Sequence, residues 1–93
     1  MTDIEVVDPS TEEPFASVVD VEVAGASAAV DSAAAAFPEW SDTAPRVRST
    51  VLRRAFELMV ERSDELAETI VRENGKPIAE ARGEVAYAAE FFR

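Results

Sequence analysis

The stretch Glu73-Asn74-Gly75-Lys76-Pro77 stops one amphipathic helix and starts another, and it decides how the second half of the chain folds. Asn74 and Gly75 tolerate the left-handed backbone that closes a helix. Lys76 can meet the last free carbonyls, and Pro77 cannot extend the old helix but suits the first turn of a new one. Upstream, Ser63 with Asp64 and Glu65 predicts an N-cap and an acidic first turn, and Leu66, Ala67, Ile70 and Val71 form the buried face of a short helix. Downstream, a helix from Pro77 places Ile78, Ala81, Val85, Ala88, Ala89 and Phe92 on one side. That pattern is still strong at Arg93, with no capping residue, Gly or Pro after it, so the chain is expected to stop within the element.

Further upstream, Val51, Leu52, Ala55, Phe56, Leu58 and Met59 predict another helix, apolar over more than one narrow stripe. Asp42 or Thr43 offers its N-cap, and Pro45 is tolerated in its first turn. From about Glu22, the residues Val23, Ala26, Val30, Ala33, Ala34 and Phe37 recur three or four apart in an alanine-rich run that favours helix. Pro38 is expected to end that helix and Trp40 to pack back over the join. Ile4 to Val7 and Phe15 to Val19 are rich in β-branched residues and flank Asp8-Pro9-Ser10-Thr11-Glu12-Glu13-Pro14, which predicts a β-hairpin. Two strands are marginal alone, so the hairpin needs something to pair with or lie on. The fold class is therefore α+β and mainly helical, a hairpin over 1–20 and about four amphipathic helices over 22–93.

At 93 residues, with 47% hydrophobic and 30% charged, the chain suits one small globular domain. It contains neither cysteine nor histidine. Disulfides, thiolate nucleophiles, imidazole bases and the usual zinc ligands are thereby removed together. The net charge of −10 is unevenly spread: all nine basic residues lie at or after Arg46, whereas ten of the nineteen acidic ones precede it. Phosphate backbones and anionic lipid heads are repelled by such a first half, which argues against nucleic acid and membrane partners. No apolar run approaches the roughly 20 residues that cross a bilayer. The opening residues, with Asp3 and Glu5 and no early base, do not resemble a signal peptide, so a cytoplasmic setting is expected.

Gly25, Gly75 and Gly83 match neither a dinucleotide fingerprint nor a Walker loop. Carboxylate pairs such as Glu57 and Glu61, Glu61 and Glu65, or Glu80 and Glu84 could in principle do acid-base work, but they read better as solvated helix faces matched to arginines, Glu57 to Arg53 and Glu80 to Arg82. Lys76 reads as a solvated lysine at a helix end rather than a reactive amine. Trp40, Tyr87, Phe91 and Phe92 read as core or interface. Asp31-Ser32 in a small acidic chain suggests an acyl-carrier-like protein modified on serine. Ala33 stands where that motif has leucine, and the pair lies inside a helix rather than at its start.

The ordered series of residues resembles the N-terminal segment of the aldehyde dehydrogenase superfamily, especially its succinate-semialdehyde dehydrogenase branch. The series runs from Val7-Asp8-Pro9-Ser10-Thr11 through Ala33 to Phe37, Trp40, Arg46 and Leu52-Arg53-Arg54. It ends with Glu73 to Ala81, Gly83-Glu84 and Tyr87-Ala88-Ala89. Asp8 stands where the family more often has Asn, and Glu12-Glu13 replaces its turn glycine. The resemblance implies the first strands and outer helices of an NAD-binding domain, so that residues 1–93 form a single incomplete domain. It also implies a parent reaction in which hydride passes from a thiohemiacetal to NAD or NADP and the thioester is then hydrolysed. The family's nucleophilic cysteine, general-base glutamate, oxyanion-hole asparagine and cofactor-holding residues all come later in a longer chain. No catalytic, cofactor-binding or metal residue is therefore assigned here, and the chain is expected to be a fragment, inactive alone. The expected partners are the rest of the parent enzyme or further copies, through helix faces left uncovered. A free-standing acidic helical interaction module is the alternative.

Overall fold

The computed structural model describes residues 2–93. Strands β1 (Thr2–Asp8) and β2 (Glu13–Asp20) pair antiparallel, followed by helices α1 (Glu22–Asp42), α2 (Pro45–Glu61), α3 (Ser63–Asn74) and α4 (Ile78–Glu90). The expected hairpin-then-four-helices order is what forms. The hairpin is longer than its β-branched runs, and the expected span begins at Met1, which lies outside the described residues.

The hairpin turn is built by short side chains. Ser10 donates both its backbone N–H (2.8 Å) and its hydroxyl (2.7 Å) to Asp8 Oδ1, and the Glu12 N–H closes on the Asp8 carbonyl at 2.7 Å. That closure holds Glu12 at φ 62°, a left-handed conformation that costs an L-residue about 1–2 kcal/mol. Val6 pairs with Ala16 and Val7 with Pro14, so Phe15 is an extra residue in a bulge. Pro14 has no N–H to offer the ladder and sits beside that irregularity.

Helix packing is concentrated in α3 and α4, with α2 lying against α4 and β1 against α3. Among the described residues the buried side chains are Ala67, Ala81, Val85 and Ala89, with Leu66, Ile70 and Val71 packed against the first three. Ala81, Val85 and Ala89, at every fourth position of α4, form its buried line. Other positions of the expected α4 face do not follow. Ile78 and Phe92 are each 39% exposed and Ala88 is exposed, because α3 covers only the 81-85-89 line. The helix also closes at Glu90, where Phe91, Phe92 and Arg93 turn back onto the carbonyls of Ala88, Ala89 and Glu90. It does not run out through the last residue.

Four further expectations are corrected. Pro38 does not end α1, which continues to Asp42. One proline near the end of an exposed helix removes a single backbone bond whose carbonyl water can satisfy, and Thr43 then closes the helix with its N–H and hydroxyl on Glu39 O. Thr43 is thus the C-cap of α1, and Ala44 takes the N-cap position of α2 ahead of Pro45. Ser63 is not an N-cap either. The Arg62 carbonyl accepts from Leu66, so α2 passes into α3 with a single residue between them, and Ser63 is already helical. Trp40 stays on α1, 42% exposed, and does not fold over the join.

No residue of α1 is buried, and α1 is absent from the main packing contacts. The molecule is consequently flat, 48 × 34 × 14 Å, with a radius of gyration of 17.0 Å. A compact chain of this length would have about 12 Å. Among the described residues no helix is long and apolar enough to cross a membrane.

Replacing Glu12 with glycine removes the left-handed penalty of about 1–2 kcal/mol and costs about 0.5–1 kcal/mol in unfolded-chain entropy. Glu12→Gly is therefore expected to stabilise the chain by about 0.5–1 kcal/mol, read as a raised urea midpoint at unchanged slope.

Candidate functional site

The hinge between α3 and α4 is where the distant parts of the chain meet. Gly75 adopts φ 82° and donates its N–H to the Val71 carbonyl at 2.8 Å, the left-handed closure expected from the sequence. Pro77 follows in extended conformation, and its carbonyl accepts from Ala81 at 3.0 Å to begin α4. The hairpin turn lies on this hinge. A Cβ on Gly75 would stand 2.9 Å from Pro9 Cγ, so glycine is required by contact as well as by φ. A second anchor lies one helical turn back, where the Arg72 guanidinium sits 4.2 Å from the centre of the Phe15 ring. The bulge that leaves Phe15 unpaired frees it for that contact.

Lys76 Nζ lies 2.7 Å from Glu84 Oε2, which ties the hinge to the second turn of α4. The expected contact of Lys76 with helix-end carbonyls does not form. Arg53 pairs with Glu57 at 3.6 Å as expected, whereas Arg82 turns to Asp64 on α3 (3.6 Å) rather than to Glu80. Arg54 reaches Glu61 and Glu57, and those carboxylates raise its pKa further above the ordinary guanidinium value. The arginine pairs are all exposed, where water and salt screen them.

Beside the hinge, a groove of about 500 Å³ runs between α3 and α4, lined chiefly by Met59, Leu66, Ile70, Val85, Tyr87 and Ala88, with Lys76 and Glu84 at its edge. Its lining is apolar. The Thr69 hydroxyl is spent on the Glu65 carbonyl, and the lysine and glutamate are spent on each other. The groove can receive an apolar side chain but offers no nucleophile or free base. It does not fit a dinucleotide, because among the described residues the only sheet is an antiparallel pair, and no glycine-rich turn leads from a parallel strand into a helix. Among those residues no cluster of three potential metal ligands occurs. Tyr87 and Phe91 stack edge to face at 5.2 Å but remain 70% and 74% exposed, so they do not join the core. Asp31-Ser32 lies in the middle of α1, away from any helix start, which sets the acyl-carrier alternative aside.

The Phe15 anchor and the Lys76–Glu84 pair were not legible in the sequence. Phe15 could have been flagged by the adjoining Pro14, and Glu84 by its spacing of eight from Lys76, about two helical turns.

What this geometry defines is a scaffold segment, a hairpin locked to a helical hinge with most of its apolar surface uncovered. The chain belongs to the aldehyde dehydrogenase family, whose model matches residues 1–93. It is 57% identical over 68 residues to a succinate-semialdehyde dehydrogenase of Paenarthrobacter nicotinovorans, covering 73% of this chain and 15% of that one. It is 44% identical over 88 residues to a glutarate-semialdehyde dehydrogenase of Pseudomonas putida, covering 95% of this chain and 18% of that one. The crystal structure of an E. coli NADP-dependent enzyme superposes with a TM-score of 0.94 at 40% identity, over 98% of this chain and 19% of that one. The chain thus spans less than a fifth of the length of these relatives.

Two outcomes follow from the hinge geometry. Gly75→Ala should destabilise the chain by at least about 1–2 kcal/mol, the left-handed cost alone, with the Pro9 contact adding to it; the urea midpoint measures this. Asp8 is held below the usual carboxylate range first by the Ser10 hydroxyl and then by the Ser10 N–H. Its depressed folded pKa contributes stability that is fully present above the usual value of about 3.9 and is lost as pH falls through the lower folded value. Asp8→Asn should therefore remove part of the acid dependence of unfolding below about pH 4 and leave its dependence above pH 5 unchanged.

Proposed function

We propose that this chain is the N-terminal structural segment of the cofactor domain of an NAD- or NADP-dependent aldehyde dehydrogenase that oxidises a semialdehyde of a short dicarboxylic acid, succinate semialdehyde foremost, to the carboxylate. The observation that carries this reading is the colinear match of the whole chain to the family, together with its likeness to semialdehyde dehydrogenases. A nicotinamide cofactor is suggested by relatives described as NADP enzymes. The setting proposed for the enzyme is the cytoplasm, in keeping with a chain 30% charged.

Within that enzyme the segment's part is mechanical. Oxidation of an aldehyde through a thioester needs a thiolate and a base to activate water. This chain has no cysteine, and the carboxylates at the hinge are either paired or solvated. Its own residues supply a rigid corner, where Gly75, Pro9, Arg72 and Phe15 fix the hairpin against α3. A free-standing interaction module is disfavoured by the same end-to-end family match.

The 93-residue chain, mixed with succinate semialdehyde and either NAD or NADP, should give no absorbance rise at 340 nm and no calorimetric signal for either nucleotide. Joined to the remaining part of a family chain, it should support turnover. Clear turnover by the 93 residues alone would defeat the reading, and so would a joined chain that folds, binds nucleotide and oxidises no semialdehyde.

A further inference from the structure

The chain has no glutamine and a single asparagine, Asn74, so its one side-chain amide stands directly before Gly75. An asparagine in that position carries the means of its own modification. The backbone nitrogen of the next residue can attack the side-chain carbonyl carbon and close a five-membered ring, and a glycine there has no Cβ to obstruct the approach. Asn74 and Gly75 are both exposed, so water reaches the pair.

The closed hinge holds this reaction back. Asn74 is the last residue of α3, and the Gly75 N–H that follows it is spent on the Val71 carbonyl at 2.8 Å. The nitrogen that would attack therefore points back along the helix axis, away from the Asn74 side chain. Gly75 is further pinned at φ 82° by Pro9, which stands where a Cβ would be, and the hairpin that carries Pro9 is held by Phe15 against Arg72. For the ring to close, this last turn must come undone. It lies at an exposed helix end fixed by a few surface contacts, the kind of region that opens without global unfolding.

We infer that Asn74-Gly75 is a self-modifying site gated by the hinge: closed, the hinge preserves the amide; open, it lets ammonia go, and the isoaspartyl product keeps the hinge from closing again. In the first step the bond from the Gly75 nitrogen to Asn74 Cγ forms and the Cγ–Nδ2 bond breaks. The Gly75 proton leaves with Nδ2 as ammonia. One water then opens the succinimide, and nothing is oxidised or reduced. Entry at Cγ leaves aspartate at 74, whereas entry at the backbone carbonyl leaves isoaspartate, whose main chain runs through Cβ and Cγ. Isoaspartate thus places an extra carbon between Val71 and Gly75, so the N–H loses its register with the Val71 carbonyl and Gly75 its seat against Pro9. Either product also sets a negative charge beside the unpaired carbonyls that end α3, where the helix dipole opposes it.

The test holds the chain at one pH and temperature, folded and in unfolding urea, both as the 93 residues and covalently continuous with the remaining part of a family chain, with folding read by circular dichroism. Trypsin cuts after Arg72 and Arg82 but not before Pro77, so the peptide Glu73–Arg82 carries the site, and its mass and chromatographic retention separate amide, aspartate and isoaspartate. The expected result is loss of ammonia in urea with isoaspartate among the products, and a rate at least about tenfold lower in the folded chain, as for a site that reacts only through local opening. Phe15→Ala loosens the corner without touching the reacting atoms, so it should raise the folded rate several-fold and leave the rate in urea unchanged. In an aged sample of the continuous chain, isoaspartyl hinge peptides should take up deuterium faster than their unmodified counterparts. No loss of ammonia in urea, or equal rates in the folded and unfolded continuous chain, would overturn the inference, and that comparison needs no variant. Equal deuterium uptake by modified and unmodified hinge peptides would overturn it as well.

Discussion

The structure depends on the left-handed conformation of Gly75. At φ 82° it ends α3, turns the chain toward α4, and presents a face with no side chain to Pro9 of the hairpin turn. A residue with a Cβ would meet both a backbone penalty and a clash there, so one position couples the helical hinge to the strand ribbon. The remaining contacts of the corner, Arg72 on Phe15 and Lys76 on Glu84, lie within about a helical turn or two of it and fix its orientation.

Away from the corner the packing thins quickly. The buried side chains lie on α3 and α4, and Val85 is the only one of them larger than alanine. Neither α1 nor α2 has a buried residue, so the molecule is a plate with one firm edge. The relatives it matches are about five times longer. The segment's contribution is geometric. It holds a hairpin and a helix at set directions from a hinge and leaves much of its apolar surface uncovered.

How much of this was legible in the sequence varied with the range of the interaction involved. The closure at Asn74-Gly75, the restart at Pro77 and the acidic first turn of α3 are local, set by backbone preferences of two or three residues, and they form as read. Pro38 signals a stop that α1 does not obey, because the cost of a proline is small near the end of an exposed helix. In a solvated helix the lost bond goes to water and Thr43 supplies the stop. Ser63 was misread because a good capping residue was present while the Arg62 carbonyl had already begun the next turn. Phe15 and Glu84 owe their places to elements far apart in sequence or two turns away, and no local signal ranks those partners. At the candidate site the shortage of chemistry was readable from composition alone, but the groove beside the hinge was not.

The sequence by itself determined the order of elements, the glycine hinge, the absence of a thiol or imidazole, and membership of a family. Those follow from residue identity and short spacing, which act over a few residues. Only the tertiary structure decided which apolar faces are covered. Periodicity shows that α1 and α4 each have an apolar side, yet α4 buries its 81-85-89 line and α1 buries none of its residues. A stripe records that a helix has something to bury, and what buries it depends on surfaces brought together by the fold.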